Sequence, residues 1–83
     1  MAEQKTVHLE YFAAFREMAG KGSETVRSQA STATELYEEV AALHGFAFDR
    51  STLRVALNNV IEPWSSPIRD GDLVTFLAPF AGG

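Results

Sequence analysis

The sequence of 83 residues contains no cysteine, no apolar run of about 18 residues and no cluster of basic residues. Without a thiol the chain forms neither a disulfide nor a thiolate metal site, so any sulfur chemistry has to use another group. No stretch predicts a transmembrane helix, and the N-terminal segment MAEQKTVHLEYF lacks the order of a signal peptide. The seven Lys and Arg residues are scattered, and the net charge is −4. These features predict a soluble cytoplasmic protein that binds neither nucleic acid nor membrane.

Length and composition indicate one folded domain. Hydrophobic residues make up 46% of the chain and charged residues 22%, which is typical of a globular protein. A chain this short has apolar material for a single core. We therefore predict one domain over residues 1–83, with residues 79–83 as a flexible C-terminal Gly-Gly tail.

Several stretches have the pattern of β-strands. In TVHLEYF (residues 6–12) apolar and polar side chains alternate, as in a half-buried strand. LRVALNN and LVTFLAP supply two more strands, and the more polar SETVRSQA predicts a strand near a sheet edge. VIEPW is a short extended piece that Pro63 interrupts. Asn58 and Asn59 predict a turn, because asparagine tolerates a positive φ.

The segment TATELYEEVAALH predicts the main helix, over residues 33–44. Leu36, Val40 and Leu43 recur at helical spacing and define one apolar stripe. Thr32 and Glu35 have the spacing of a capping box, and a glycine follows the helix. A shorter helix closed by a glycine is expected within AAFREMAGKG.

This order of elements predicts an α+β fold. The first and last strands are the most apolar, so they should lie in the middle of the sheet, where both faces are shielded. The arrangement that results is the β-grasp (ubiquitin-like) fold, a mixed sheet of four to five strands with one main helix packed on one face.

No catalytic constellation emerges from the titratable residues. His8 lies in a predicted strand and His44 at a helix C-terminus, so both are interpreted as structural, and no metal site is predicted. Asp70 and Asp72 flank a glycine, where side-chain bonds to the turn backbone are expected. We therefore expect no catalysis by the isolated chain.

The aromatic residues are too numerous for one small core. Tyr11, Tyr37 and Phe76 lie on predicted core faces. The others are Phe12, Phe15, Phe46, Phe48, Trp64 and Phe80. Some of these must be exposed, and exposed apolar groups on a small domain mark a partner surface. Phe15, Phe80 and Trp64 are the candidates favoured on this argument.

The stretch APFAGG remains as a candidate for chemistry. Residues 79–83 reach at most about 17 Å when extended, which is enough to enter another protein's active site. Pro79 stiffens the exit from the sheet, and Gly82 and Gly83 pass a channel too narrow for a Cβ. A loose terminus without function is the alternative that the dipeptide alone leaves open.

Three stretches together resemble a known family, the small subunits of molybdopterin synthase, within the ubiquitin-like sulfur carriers. YFAAFREMAG is similar to the family segment Phe-Ala-x-x-Arg-Glu-Leu-x-Gly. VALNNVIE is similar to its strand and turn, with an asparagine at position 58. PIRDGDLVTFLAPFAGG is similar to its C-terminal strand and Gly-Gly. The chain departs from the family at Ala78, where a proline is common, and at Phe80, where a smaller aliphatic residue is usual.

The resemblance implies a chemistry that needs no cysteine. An ATP-dependent activating (adenylyltransferase) enzyme, using ATP and Mg, would adenylate the Gly83 carboxylate, and a persulfide sulfur donor would convert it to a thiocarboxylate. Pro79, Phe80, Ala81 and Gly82 would insert with it into the large molybdopterin synthase subunit, where the sulfur passes to a pyranopterin precursor. The chain itself would bind no cofactor.

The resemblance also implies a contact surface and a heterotetrameric assembly. Phe12, Phe15, Arg16 and Trp64 are the expected partner-binding residues. Three other functions remain open: a carrier for thiamine or cysteine synthesis, a ubiquitin-like protein modifier joined to lysines through Gly83, and a non-catalytic interaction module.

Overall fold

The structure is a computed structural model that describes residues 4–78, so the predictions for residues 79–83 lie outside the described residues. Five strands and two α-helices follow one another in this part of the chain: β1 (Lys5–Glu10), α1 (Ala13–Ala19), β2 (Ser23–Ser28), α2 (Ala33–His44), β3 (Arg54–Leu57), β4 (Val60–Glu62) and β5 (Leu73–Leu77). A 3-10 turn at Arg50–Thr52 precedes β3. The predicted order of elements is confirmed.

The strands form one mixed sheet in the order β2-β1-β5-β3-β4. β1 and β5 run parallel, with Leu9 opposite Val74, and the other neighbouring pairs are antiparallel. Val7 and Phe76, from the same two strands, are also buried, because their side chains face the core on the side of the sheet that α2 covers. The polar strand β2 lies at an edge, as its composition predicts. With α2 packed on one face, this is the β-grasp fold.

Capping groups at both ends fix the limits of α2. Thr32 Oγ1 accepts a hydrogen bond from the Glu35 N–H at 3.3 Å. The Glu35 carboxylate accepts from the Ser31 N–H at 2.7 Å, so the reciprocal bond of the capping box goes one residue further back than expected. Gly45 has a φ of 73° and donates its N–H to the Ala41 carbonyl. Because an N-cap is worth about 1 kcal/mol, these groups set the helix ends that the sequence predicts.

The core lies between α2 and the inward face of the sheet. The α2 residues buried there are Ala33, Leu36, Tyr37 and Val40. Tyr11 and Phe76 are buried with them, as predicted. Each fully buried Leu or Val side chain stabilises the fold by about 1.5–3 kcal/mol. Packing therefore stabilises a domain whose sequence has no cysteine to cross-link.

Leu43 is exposed, which corrects its expected place on the apolar stripe of α2. Its exposed fraction is 63%. The buried face of α2 is centred on Ala33 and Val40, and His44 continues that line toward β2. Leu43 lies at the margin of this face, beside β2, which is the outermost strand of the sheet that residues 4–78 form.

The β3–β4 hairpin is closed by Asn58 and Asn59, which have φ values of 54° and 71°. Both values lie in the left-handed region that asparagine tolerates, so the predicted turn is confirmed. The Asn58 side chain also accepts a hydrogen bond from the Leu73 N–H and donates one to Asp72 Oδ1, both at 3.0 Å. The hairpin is thus fastened to the start of β5.

Candidate functional site

The C-terminal tail leaves the sheet at the end of its central strand. β5 is paired with β1 on one side and β3 on the other. Ala78, the next residue, is half-buried against the core. Pro79, Phe80, Ala81, Gly82 and Gly83 follow outside the described residues, so their roles stay predictions. A strand held on both sides gives the tail a fixed point of departure.

An apolar groove of about 420 Å³ opens where the tail departs. Its lining residues are Phe12, Ala13, Ala14, Phe15, Phe76, Leu77 and Ala78. We call this the exit groove. It combines the start of α1 with the end of β5, two segments about 60 residues apart in sequence that the central position of β5 brings together.

The two phenylalanines of the exit groove differ in exposure. Phe12 is 51% exposed, whereas Phe15 is 1% exposed and packs against the rings of Phe46, Phe48 and Phe76. The expectation that Phe15 is an exposed partner contact is therefore wrong. Phe15 turns inward from α1, and its role is to form the floor of the groove.

The backbone at the start of α1 holds Phe12 outward. Phe12 is the extended N-cap residue, and its carbonyl accepts hydrogen bonds from the N–H groups of Phe15 and Arg16. Ala13 has a φ of 50°, a left-handed conformation that is unfavourable for alanine. Such a residue costs about 1–3 kcal/mol unless its surroundings fix it. The strained residue lies in the wall of the exit groove.

Arg16 is exposed on α1, the helix that Phe12 precedes as the N-cap residue. Its side chain lies over Gly22, so that a Cβ built on that glycine comes 3.6 Å from Arg16 Nε. Arg16, Glu17 and Lys21 line a polar depression of about 560 Å³ beside the exit groove. The structure thus places Phe12 at the tail exit and Arg16 in the adjoining depression, and their partner-binding role remains a prediction.

Trp64 lies outside the exit groove and has a structural role. Its ring stacks on Phe76 at 6.1 Å with an interplanar angle of 15°, and its Nε1 donates to the Leu53 carbonyl at 3.3 Å. The Arg50 guanidinium covers the ring at 5.3 Å. The structure therefore does not bring Trp64 together with Phe12, and its expected contact with a partner is untested.

Glu24, Tyr11 and His44 form a polar cluster that the sequence analysis missed. The Tyr11 hydroxyl donates to Glu24 Oε2 at 2.5 Å, His44 Nε2 lies within hydrogen-bonding distance of the same oxygen, and Lys21 Nζ lies 3.5 Å from Glu24 Oε1. The glutamate is on the inward face because it is paired with Leu9. The alternation of side chains along the strand SETVRS places Glu24 on the same face as Val26, and this pattern could have identified Glu24 as an inward residue.

Burial and this cluster shift two pKa values in opposite directions. Burial and then the contact with Glu24 raise the pKa of Tyr11. Burial also acts to raise the pKa of Glu24, but the hydrogen bonds from Tyr11 and His44 and the nearby positive charges outweigh it, so that this pKa is lowered. Through Glu24 Oε2, the cluster connects three elements: the end of β1, the edge strand β2 and the C-terminus of α2.

Three basic residues that are scattered in the sequence meet in the fold. Lys5, Arg27 and Arg69 line one depression of about 780 Å³, with Asp70 as its acidic residue. The Lys5 ammonium donates to the Ala30 carbonyl at 3.0 Å. The β1–β2 pairing and the turn before β5 thus bring residues that are distant in sequence to one end of the sheet.

The predicted bond to the turn backbone is confirmed for Asp72, whereas the Asp70 side chain bonds to β1 instead. Asp70 Oδ1 accepts a hydrogen bond from the Thr6 N–H at 2.7 Å, and Asp72 Oδ2 accepts one from the Arg69 N–H at 2.8 Å. Both carboxylates are thereby used to fix the chain that enters β5. Within residues 4–78, no group of three or more His, Asp or Glu side chains is arranged to hold a metal ion, and no helix is long and apolar enough to cross a membrane.

Comparisons with known proteins cover nearly the whole chain. A family model described as the ThiS family matches residues 9–83. The molybdopterin synthase sulfur carrier subunit of Haemophilus influenzae is 29% identical over 76 residues, which cover 88% of this chain and 94% of that relative.

Two solved structures share the fold. One, from Pyrococcus furiosus, is described as subunit 1 of a molybdopterin converting factor; it is 26% identical, has a TM-score of 0.75, and covers 92% of this chain and 99% of its own. The other is a chain in the complex of subunits 1 and 2 of the molybdopterin-converting factor from Helicobacter pylori, with 22% identity, a TM-score of 0.64, and coverage of 94% and 99%. The family match includes all three stretches on which the resemblance rests, so the resemblance is confirmed, and the chain belongs to the ThiS family.

Proposed function

We propose that this chain is the sulfur carrier subunit of a molybdopterin synthase and that the Gly83 carboxylate carries the sulfur. The observation that supports it most is the family match, which continues from β1 through β5 to Gly83. The name of the Haemophilus influenzae relative, which aligns over 94% of its length, supports the same function.

The proposed chemistry begins with activation of a poor electrophile. An ATP-dependent enzyme joins the Gly83 carboxylate to AMP and releases pyrophosphate, because a carboxylate oxygen is a poor leaving group and AMP is a good one. A persulfide sulfur from a donor protein then attacks the carbonyl carbon and displaces AMP. A thiol cleaves the S–S bond to the donor, and the sulfur remains on Gly83 as a thiocarboxylate.

In the second half of the reaction the carrier delivers its sulfur inside a larger synthase subunit. The tail residues Pro79, Phe80, Ala81 and Gly82 enter that subunit with Gly83, and the thiocarboxylate gives up its sulfur to a pyranopterin precursor. ATP and Mg belong to the activating enzyme, and acids and bases come from the partners. The contribution of this chain is to present one reacting atom on a tail that starts from the centre of a rigid sheet.

The exposed part of α1 supplies the proposed contact beside the tail. Phe12, which lines the exit groove together with the end of β5, is the apolar member of this surface, and Arg16, in the adjoining polar depression, is the charged one. Partner interfaces favour aromatic and arginine side chains in this arrangement. Docking there leaves the tail directed away from the sheet and into the partner.

Changing the length of the tail tests this function. Deletion of Gly83, or addition of one alanine after it, should abolish sulfur transfer to the precursor in a reconstituted reaction, because the reacting carbon is lost or displaced. Thermal unfolding should stay unchanged, since the described core ends at Ala78. Undiminished sulfur transfer by the extended variant contradicts the proposal.

A further inference from the structure

The exit groove is an apolar surface without a described occupant in residues 4–78. Its wall is made by Phe12 and two alanines of α1, its floor by Phe15 and Phe76, and its far side by Leu77 and Ala78. Half of the Phe12 side chain faces solvent there. Exposed apolar surface of this kind on a small domain marks a binding site.

The chain that continues beyond Ala78 carries one large apolar side chain, that of Phe80. Two residues span at most about 7 Å, so the Phe80 backbone lies within that distance of Ala78, which itself borders the groove. Pro79 stands between them, and proline favours the second position of a reverse turn. Phe80 is therefore confined to the neighbourhood of the groove by covalent geometry alone.

We propose that the exit groove binds the Phe80 side chain of the same chain. The exposed Phe12 ring then packs against the Phe80 ring above the nearly buried Phe15 and Phe76, and aromatic rings pack favourably at centroid distances of about 4.5–7 Å. The tail is held against α1 when no partner is present.

Phe80 of the same chain is favoured over Phe80 of a second copy because the tether gives it a higher effective concentration at the groove. A group tethered by two residues has an effective concentration in the millimolar range or above, whereas a second copy must reach that concentration in solution. The contact is thus intramolecular and independent of protein concentration.

One consequence rests on the proposed function. A partner that takes Gly83 into its active site has to withdraw Phe80 from the exit groove first. Contacts of the partner with Phe12 would supply that displacement, because Phe12 is a wall of the groove and also the exposed aromatic of α1.

Nuclear Overhauser measurements on the isolated, uniformly labelled chain test the contact without any sulfur chemistry. We expect cross-peaks from the Phe80 ring protons to the methyl groups of Ala13 and Ala14, with the same relative intensity at low and high protein concentration. The Phe80→Ala variant should lose them and shift both methyl resonances. Leu43→Ala, which removes an exposed apolar side chain beside β2, is the control and should leave them unchanged.

Two outcomes overturn the proposal. Cross-peaks that appear only at high concentration assign the groove to a second copy, and their absence from the wild-type spectrum leaves Phe80 outside the groove. The amide spectrum of α2 reports folding in every variant. The variant that lacks Gly83 still contains Phe80. If it loses sulfur transfer but keeps the cross-peaks, the carrier function and the docking of Phe80 are tested independently.

Discussion

The Tyr11 hydroxyl donates a hydrogen bond to Glu24 Oε2 at 2.5 Å, and this bond joins the residue after β1 to the edge strand β2. The same oxygen contacts His44 at the end of α2. Tyr11 is 1% exposed, and the side chains of Glu24 and His44 are each 13% exposed. The mostly buried Glu24 carboxylate contacts both Tyr11 and His44 and so stabilises the packing of the edge strand β2 beside α2.

Removal of the Glu24 carboxylate should therefore destabilise the fold. Glu24→Ala leaves the Tyr11 hydroxyl without its acceptor, and a buried polar group left unpaired costs about 1–3 kcal/mol. Glu38→Ala, at an exposed position of α2, should change the free energy of unfolding by no more than about 0.5 kcal/mol. Urea unfolding at neutral pH measures both variants, and equal values for the two would refute the structural role of Glu24.

Acid should remove the same stabilisation. The pKa of Glu24 is lowered in the folded state, so the folded protein binds this proton less readily than the unfolded chain does. The contribution is present above the pKa of an unfolded glutamate, about 4.3, and is lost as the pH falls through the folded value. The difference in unfolding free energy between wild type and Glu24→Gln should shrink from about pH 6 to about pH 3. A difference that stays constant over this range contradicts the assignment.

Alkaline pH should act on Tyr11 in the opposite sense. Its pKa is raised in the folded state, so its contribution is complete below the unfolded value of about 10 and declines as the pH rises above it. Tyr11→Phe, which keeps the ring, should unfold with a weaker dependence on pH above about pH 10. Calorimetric scans in this range, with wild type as reference, measure the effect.

Two substitutions of Asn58 distinguish the contribution of its backbone conformation to stability from that of its side-chain hydrogen bonds. Asn58→Gly keeps the positive φ but loses the bonds to Asp72 and Leu73, at a cost of about 1–2 kcal/mol. Asn58→Ala loses the bonds and also forces a Cβ-bearing residue without side-chain compensation into the left-handed region, at about 1 kcal/mol more. Chemical unfolding of the two variants should rank alanine below glycine, and the reverse order would show that the turn changes conformation.

The limits of α2 and the hairpin turn were predictable because they depend on local chemistry. Thr32, Gly45 and the Asn58-Asn59 pair each satisfy a requirement of their own backbone. The burial of Phe15 was not predictable in this way. Counting aromatic side chains shows that some must be exposed, but only the packing of α1 against β5 decides that Phe12 faces solvent and Phe15 the core.

The cluster around Glu24 and the basic depression depend on strand register, which no single segment encodes. Glu24 becomes an inward residue through its pairing with Leu9, and the same ladder places Arg27 opposite Thr6, at the end of the sheet where Lys5 lies. Leu43 has the helical spacing of a buried residue but is exposed, because it lies beside β2, the edge of the described sheet. Periodicity alone therefore does not predict its burial.

The burial of Phe15 predicts a large loss of stability when its side chain is removed. Phe15→Ala should lower the free energy of unfolding by about 3–5 kcal/mol, because it leaves a cavity between Phe46 and Phe76. Phe12→Ala, on the adjoining exposed side of the exit groove, should cost far less, since about half of the residue is already exposed to solvent. Similar losses for the two variants in thermal or urea unfolding would contradict the burial of Phe15.

The central claim is that Gly83 is the residue that carries sulfur, and its most direct measurement is the intact mass of the chain. After incubation with MgATP, a cognate activating enzyme and a persulfide donor, replacement of one oxygen by sulfur should raise the mass by about 16 Da. Fragmentation should place the increase on Gly83, and omission of ATP should abolish it. An unchanged mass with active enzymes, or an increase located on any other residue, would contradict the claim.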